Sequence, residues 1–246
     1  MLRFLVLIYG IVCYVMFLGT FLYTIGFVAN FAVPKSIDSG TAGDWVTSLI
    51  VDGVLLGLFA VQHSVMARPA FKRLWTPIVS APAERSTYVL FTNLLLLLLF
   101  WQWRPLPEPA WELASPPLRM LIWAICGCGW LVVLVSTFLI DHFELFGVRQ
   151  VFLHFTGQPF RTVDFKTRVF YRFVRHPLMT GFVIAFWATP TMSVGHLFFA
   201  AMTTAYILVA VQLEERDLVT SHGDEYREYQ RRVGMLIPRL SRSKST

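Results

Sequence analysis

Charge is scarce in this chain. Asp, Glu, Lys and Arg make up 15% of its 246 residues while 56% are hydrophobic, a balance outside that of soluble domains of this length. The scarcity excludes a water-soluble globular fold and points to a lipid-embedded one. The long apolar runs lack the alternation of apolar and polar residues that a membrane barrel requires, and hydrocarbon cannot hydrogen-bond an exposed backbone, so the spanning elements are helices. Cysteine is scarce too: Cys13, Cys126 and Cys128 all lie inside apolar runs. Cys126-x-Cys128 is not the spacing of a structural zinc pair, and no Cys or His pair stands near to complete one. These thiols read as small packing residues. P-loop, GxGxxG and HExxH patterns are missing, as is any internal repeat, so no phosphate-loop, dinucleotide or zinc-protease chemistry is indicated and no metal site is expected.

What the chain does have is apolar length. A run of roughly 20 apolar residues crosses a bilayer, and four qualify: Phe4 to Val33, Trp45 to Met66, Thr87 to Trp103, and Leu118 to Ile140. The fifth apolar region, Leu178 to Leu213, is too long for one ordinary span. Its "TPTMSVG" stretch (Thr189 to Gly195) brings a proline and a glycine that favour a break. The spacing predicts an all-α, polytopic helical bundle with four spanning helices and a C-terminal helical hairpin of two short arms, or a kinked fifth span in its place. A cytoplasmic C-terminal helix follows. Residues 1–246 read as one membrane-embedded domain, with 1–140 the four spans and 141–246 the more polar part. The N-terminal run is too long in its apolar core for a secretory signal and reads as an uncleaved first helix.

The basic loops set the orientation. Residues 67 to 86 carry Arg68, Lys72, Arg73 and Arg85 against Glu84, whereas 34 to 44 hold Lys35 with Asp38 and Asp44, and 104 to 117 hold Arg104 with Glu108 and Glu112. The second loop is therefore expected in the cytoplasm, with Asp141 and the tail on the same side. The net charge of +6 fits loops beside an anionic leaflet, and no nucleic-acid partner is read from it.

Several polar islands interrupt this pattern. Asp52 and His63 sit in the second run on nearly one helix face; either they mark the two boundaries or they are functional, because ionisable groups inside a membrane are costly. After the fourth run, "DHFELFGVRQVFLHFTGQPF" interleaves Asp141, His142, Glu144 and Arg149 with Phe143, Phe146, Phe152 and Phe155, as an interfacial helix or as the wall of a site at the membrane surface. In "YRFVRHPLMTG", Pro177 suits the first position of a helix, which makes His176 the N-cap. A helix start attracts an anion such as a carboxylate, Arg175 can add a forked contact, and Gly181 gives room for a ligand. Further on, Glu214 and Glu215 precede a turn at Gly223. Tyr226, Tyr229, Val233 and Ile237 then follow at steps of three and four, one apolar helix face ending at Pro238.

In combination, RHP-x-x-x-G opening a membrane helix, then E-E-x-x-L (Glu214 to Leu218), then G-x-x-Y-x-x-Y-x-x-x-V-x-x-x-I-P (Gly223 to Pro238) resembles the isoprenylcysteine carboxyl methyltransferase superfamily. Within it, "QHSVMARPAFKRLW", "ERSTYVLFTNL" and "DHFELFGVRQ" are similar to the branch of NnrU-like proteins and bacterial methanethiol S-methyltransferases. The resemblance implies S-adenosyl-L-methionine as methyl donor, bound by residues 141–246. Arg175 and His176 with the backbone after Pro177, at Leu178 and Met179, would hold its carboxylate; Glu214 or Glu215 would hold its amino group or a hydroxyl; Tyr226 and Tyr229 would wall the pocket. Leu178-Met179 replaces the tyrosine usual in the prenylcysteine enzymes, which turns the expectation from a prenylcysteine to a small thiol, methanethiol or hydrogen sulfide, in a bacterial cytoplasmic membrane. A thiol must ionise to attack. His142, oriented by Asp141 or Glu144, is the expected base and Arg149 the expected partner of the thiolate. Rival readings are a b-type haem protein using His63 and His196, a sterol-type reductase, and a lipid-binding or transport protein without a cofactor.

Overall fold

The computed structural model describes residues 1–160 and 169–239. Its elements are α1 (Leu2–Ala29), α2 (Trp45–Ala67), α3 (Pro69–Trp75), α4 (Ala81–Gln102), β1 (Pro109–Glu112), α5 (Pro116–Ile140), α6 (His142–Leu145) and α7 (Val148–Thr156), then α8 (Pro177–Trp187), β2 (Thr191–Ser193), α9 (Val194–His222) and α10 (Asp224–Arg232). Five helices, α1, α2, α4, α5 and α9, are long and apolar enough to cross a membrane. The protein is an all-α integral membrane bundle, and the first four spans fall where hydropathy puts them. Many large apolar side chains of α1, including Leu5, Val12, Val15 and Leu22, are exposed, as a lipid-facing surface requires.

The fifth apolar region is a hairpin, not a kinked span. Its arms are unequal, however: α8 has 11 residues and α9 has 29, about 16 Å against about 43 Å at 1.5 Å per residue. The break falls at the Thr189 to Gly195 stretch. There β2 pairs antiparallel with β1, aligning Trp111 with Met192 and Glu112 with Thr191, and the Ser193 side chain caps α9 by accepting from His196 N. This strand end of the bundle is tied further by Trp103 Nε1 donating to Ile37 O at 3.0 Å and by Arg104 N donating to Asp52 Oδ1 at 2.9 Å. Asp52 thus serves the boundary. A core of Phe27, Leu99, Phe100, Trp103, Trp130, Phe186 and Phe199 fills the space above it.

The opposite, helical end carries α3, α6, α7 and α10. On α7, expected either as an interfacial helix or as the wall of a site, Phe152 and Phe155 are exposed while Leu153 and His154 line a cavity. α10 stops at Arg232, short of the helix expected through Ile237. Val233 is extended, Ile237 is exposed, and the backbone from Val233 onward pairs with the segment before α8. The carbonyls of Gly234 and Met235 accept from that segment, and Pro238, which has no N–H, could not have closed a helical bond onto Gly234 O.

α5 and α8 pack closely along their length. A Cβ on Gly129 would lie 2.7 Å from Ala185 N, and one on Gly181 2.8 Å from Gly129 O. Gly181 therefore makes room for a helix, where a ligand had been expected, in the manner of small-residue contacts between membrane helices. Gly181→Val should push the two helices apart and lower the melting temperature in detergent, while Gly57→Ala, which faces open space, should leave it unchanged.

Candidate active site

Arg175 is the centre of the helical end. Its Nε and Nη2 donate to the two oxygens of Glu215 at 2.6 and 3.2 Å, and its Nη1 donates to Gln230 O at 3.0 Å and to Val233 O. Four of its five N–H groups are thereby engaged inside the protein, so little of it is left for a ligand carboxylate. The backbone repeats the link: Arg175 N donates to Gly234 O at 2.8 Å and His176 N to Met235 O at 3.1 Å. Glu215 also accepts from Gln230 Nε2 at 2.8 Å and stands 3.1 Å from His176 Nε2. An ionised carboxylate only accepts, so Nε2 is the protonated nitrogen of His176. His176 is the N-cap of α8 as expected, though its side chain makes no cap bond.

These residues close one side of a cavity of about 1330 Å³ that continues between the spanning helices. Arg175, His176, Leu178, Met179, Tyr226 and Tyr229 line it, and of the two acids Glu214 does so while Glu215 stays behind. Glu214 is half-exposed, with Oε2 3.7 Å from His176 Nδ1. Tyr171 joins the wall and its carbonyl accepts from the Tyr229 hydroxyl at 2.6 Å. Burial pushes the Tyr171 and Tyr226 hydroxyls up and Tyr229 to about 12, with Glu214 or Glu215 nearby adding to it. All three remain protonated at physiological pH. Deeper in, the wall turns apolar with Phe21, Leu96, Phe182 and Phe199.

His142 lies on the same wall, buried among aromatic rings and stacked on Phe138 at 4.2 Å. It is oriented by Thr137 and Tyr14, not by Asp141 or Glu144. Thr137 Oγ1 gives its proton to Leu134 O at 2.7 Å, so the 2.8 Å contact to His142 Nδ1 is an imidazole N–H donation. Nε2 then accepts from the Tyr14 hydroxyl at 2.8 Å. Burial lowers the His142 pKa, Asp141 partly opposing it. Asp141 instead caps α6 by accepting from Glu144 N at 3.1 Å. Arg149 is bracketed by Glu144 and, at 3.6 Å, by Asp141; among the described residues it does not reach the cavity wall.

His63 reaches the cavity from α2, paired with Tyr88 and Thr92. His196 lies at the strand end, bonded to Phe186 O. Ser64, beside His63, bonds Tyr206 on α9, and Tyr206 is ten residues, about 15 Å, from His196. The two histidines do not face each other as haem ligands would. Cys13 and Cys126 are buried as packing residues, while Cys128 is exposed on α5.

No family model matches the chain, and no solved structure matches it. Among known proteins, it is 54% identical over 236 residues to methanethiol S-methyltransferase 1 of Bradyrhizobium diazoefficiens, covering 96% of this chain and 83% of that one. It is 53% identical to the methanethiol S-methyltransferase of Mycobacterium tuberculosis, covering 96% and 97%. The chain belongs to the methanethiol S-methyltransferase family. Nurim of Mus musculus is a more distant relative, 31% identical over 70% of this chain and 69% of its own. Family membership makes the protein a thiol methyltransferase in class, and such an enzyme requires a methyl donor.

The residues that sequence reasoning missed are Gln230, Thr137, Tyr14, Arg85, Tyr88 and Thr92. A signal existed for the last three: Arg85, Tyr88 and Thr92 recur at steps of three and four on one face of α4.

Two outcomes follow from this geometry. Glu215→Ala leaves Arg175 buried without its carboxylate and should cost about 3–5 kcal/mol of stability, read as a large fall in melting temperature, whereas Glu214→Ala should melt near wild type. His142 has a lowered folded pKa, so the unfolded chain binds the proton first as pH falls. Stability should therefore drop through and below the ordinary imidazole range near 6.5, and His142→Gln should flatten that drop in melts between pH 7 and 5.

Proposed function

We propose that the protein transfers a methyl group from S-adenosyl-L-methionine to methanethiol, forming dimethyl sulfide, at the helical end of the bundle. The observation that carries this reading is the two-sided cavity: polar and aromatic where α8, α9 and α10 meet, apolar where it enters the bundle. Its volume exceeds that of a pocket for one drug-sized ligand, roughly 300–1000 Å³, so a nucleoside-sized methyl donor and a small apolar acceptor fit together. The apolar lining deeper in, with Phe21, Leu96, Phe182 and Phe199, favours methanethiol over a peptide carboxylate.

S-adenosyl-L-methionine, when bound, supplies a methyl group on a positively charged sulfur. Among the described residues the backbone N–H groups of Leu178 and Met179, in the first turn of α8, have no acceptor, and with His176 these suit its carboxylate. Glu214, on the cavity wall, suits its amino group. Tyr171, Tyr226 and Tyr229 present protonated hydroxyls and ring faces to the remainder. Arg175 is on the wall but has most of its donors taken: paired with Glu215, it holds α8's start against α10, so that His176, Glu214 and Tyr226 keep fixed relative positions. The apolar arm excludes water from the acceptor, and thiolate attack on a sulfonium cancels charge, which a dry site favours. The basic residues Arg68, Lys72 and Arg85 at this end support an orientation facing the cytoplasm, in a bacterial inner membrane.

Membranes containing the protein, given S-adenosyl-L-methionine and a panel of thiols, should release dimethyl sulfide from methanethiol into the headspace. Longer straight-chain thiols should react more slowly, and a farnesylated cysteine should not be methylated. Methyl esterification of the farnesylated cysteine, with no volatile thioether, would refute the assignment.

A further inference from the structure

A thiolate needs a cation that is not already neutralised. Arg149 does not qualify, being bracketed by Glu144 and Asp141. Arg85 does. It lines the cavity, and among the described residues it makes no ion pair. Its Nε donates to Leu145 O at 2.8 Å, which fixes the guanidinium 5.0 Å from the centre of the Tyr88 ring.

One turn along α4, the Tyr88 hydroxyl stands 2.8 Å from His63 Nε2. Thr92 Oγ1 gives its single proton to Tyr88 O at 3.0 Å or to Gln62 Oε1 at 3.4 Å, so its 3.3 Å contact with His63 Nδ1 is an imidazole N–H donation. Nε2 is then the lone pair, accepting from the Tyr88 O–H. Phe59 stacks on the ring at 5.2 Å. Tyr88, His63, Thr92 and Phe59 all line the cavity. The similar trio around His142 differs in one respect: Tyr14, which occupies its Nε2, is not on the wall.

We propose that Arg85, Tyr88 and His63 form the site where the acceptor thiol binds and ionises. This rests on the methyltransferase reading above and deepens it. The S–H bond breaks and its proton passes to the Tyr88 oxygen, while the Tyr88 O–H breaks and that proton passes to His63 Nε2. The products are a thiolate beside the Arg85 guanidinium and an imidazolium, with Tyr88 restored. Tyr88 and Arg85 touch the thiol; His63 is a positioning residue that acts through Tyr88. The other ionisable groups facing the pair are Glu84 from α4 and Tyr206 and Glu214 from α9. Lys72 of α3 closes on Glu84 at 3.7 Å, and Arg68, at the end of α2, on Asp217 at 2.6 Å. His154 of α7 lines the same cavity. Glu214, on the wall proposed for the methyl donor, lines the same cavity as Tyr88, so both reactants have access to one chamber.

The test uses the full-length protein in detergent. Methanethiol is titrated against pH without methyl donor, following the ultraviolet band of the thiolate; kcat and KM against pH and calorimetric affinity for S-adenosyl-L-methionine are measured in parallel. Wild type should ionise the thiol at lower pH than buffer does. Tyr88→Phe and His63→Gln should remove that advantage and lower kcat/KM about 100-fold near pH 7, the deficit shrinking as pH rises and the free thiol ionises itself. Arg85→Gln should stay slow across the range. All three should bind the methyl donor with wild-type affinity. A wild-type pH profile in Tyr88→Phe and His63→Gln would overturn the site. So would loss of methyl-donor affinity in Arg85→Gln, or loss of the thiolate band in His142→Gln but not in Tyr88→Phe. An intact thiolate band with no thioether formed from any thiol would overturn the methyltransferase reading and leave the thiol site standing.

Discussion

The helical end depends on the pairing of Arg175 with Glu215. A buried guanidinium is tolerable only if its donors are used, and here a carboxylate takes two and backbone carbonyls take two more. Each acceptor lies on a different part of the chain: Glu215 on α9, Gln230 on α10, Val233 on the extended strap beyond it. One side chain thus gathers the start of α8 and three distant segments. The strap lends its carbonyls to Arg175 and His176 in return, and α10 ends where it does because of that exchange. Without the pair, α10 would have few reasons to lie over the bundle, since most of its other side chains are charged and solvated.

The second constraint is the close contact of α5 and α8. Gly129 and Gly181 remove the side chains that would keep the helices apart, and α8 is too short to cross a bilayer on its own. Its position is therefore set by α5 along its length, by the Arg175 pairing at one end and by the β1–β2 ladder beyond the other. A short helix held in this way keeps its first turn, with Leu178 and Met179, fixed on the cavity wall. Rigidity at that point is what the proposed methyl-donor site would require.

Much of this architecture was legible. Hydropathy located four spans, Pro190 with Gly195 located the hairpin break, and Pro177 located the start of α8. These signals are local, written in residues that act on their own backbone. What was not legible depended on distant partners. Nothing near Arg175 says that Glu215 and two carbonyls will absorb it, so it read as a ligand group. Asp141 and Glu144 read as orienting His142 because they adjoin it in sequence; the groups that do so come from Thr137 and, across the bundle, Tyr14. Gly181 read as space for a ligand because Gly129, on the facing helix, cannot be foreseen from spacing alone. Ile237 fitted a helical period, yet the carbonyls ahead of it had another use.

The same distinction separates the two arginines of the proposed acceptor chemistry. Sequence proximity favours Arg149, which sits among acids and a histidine in one short segment. That proximity is also what disqualifies it, because Asp141 and Glu144 fold back and neutralise it before any thiolate arrives. Arg85 lies in a stretch with one acid beside it, and Lys72 approaches that acid, Glu84, from another helix. In a dry cavity the cation that matters is the one without a carboxylate at hand, since an anion formed beside an existing ion pair gains little from it. Counting charges along the chain cannot reveal which cation that is; the packing of α3, α4 and α6 around the cavity does.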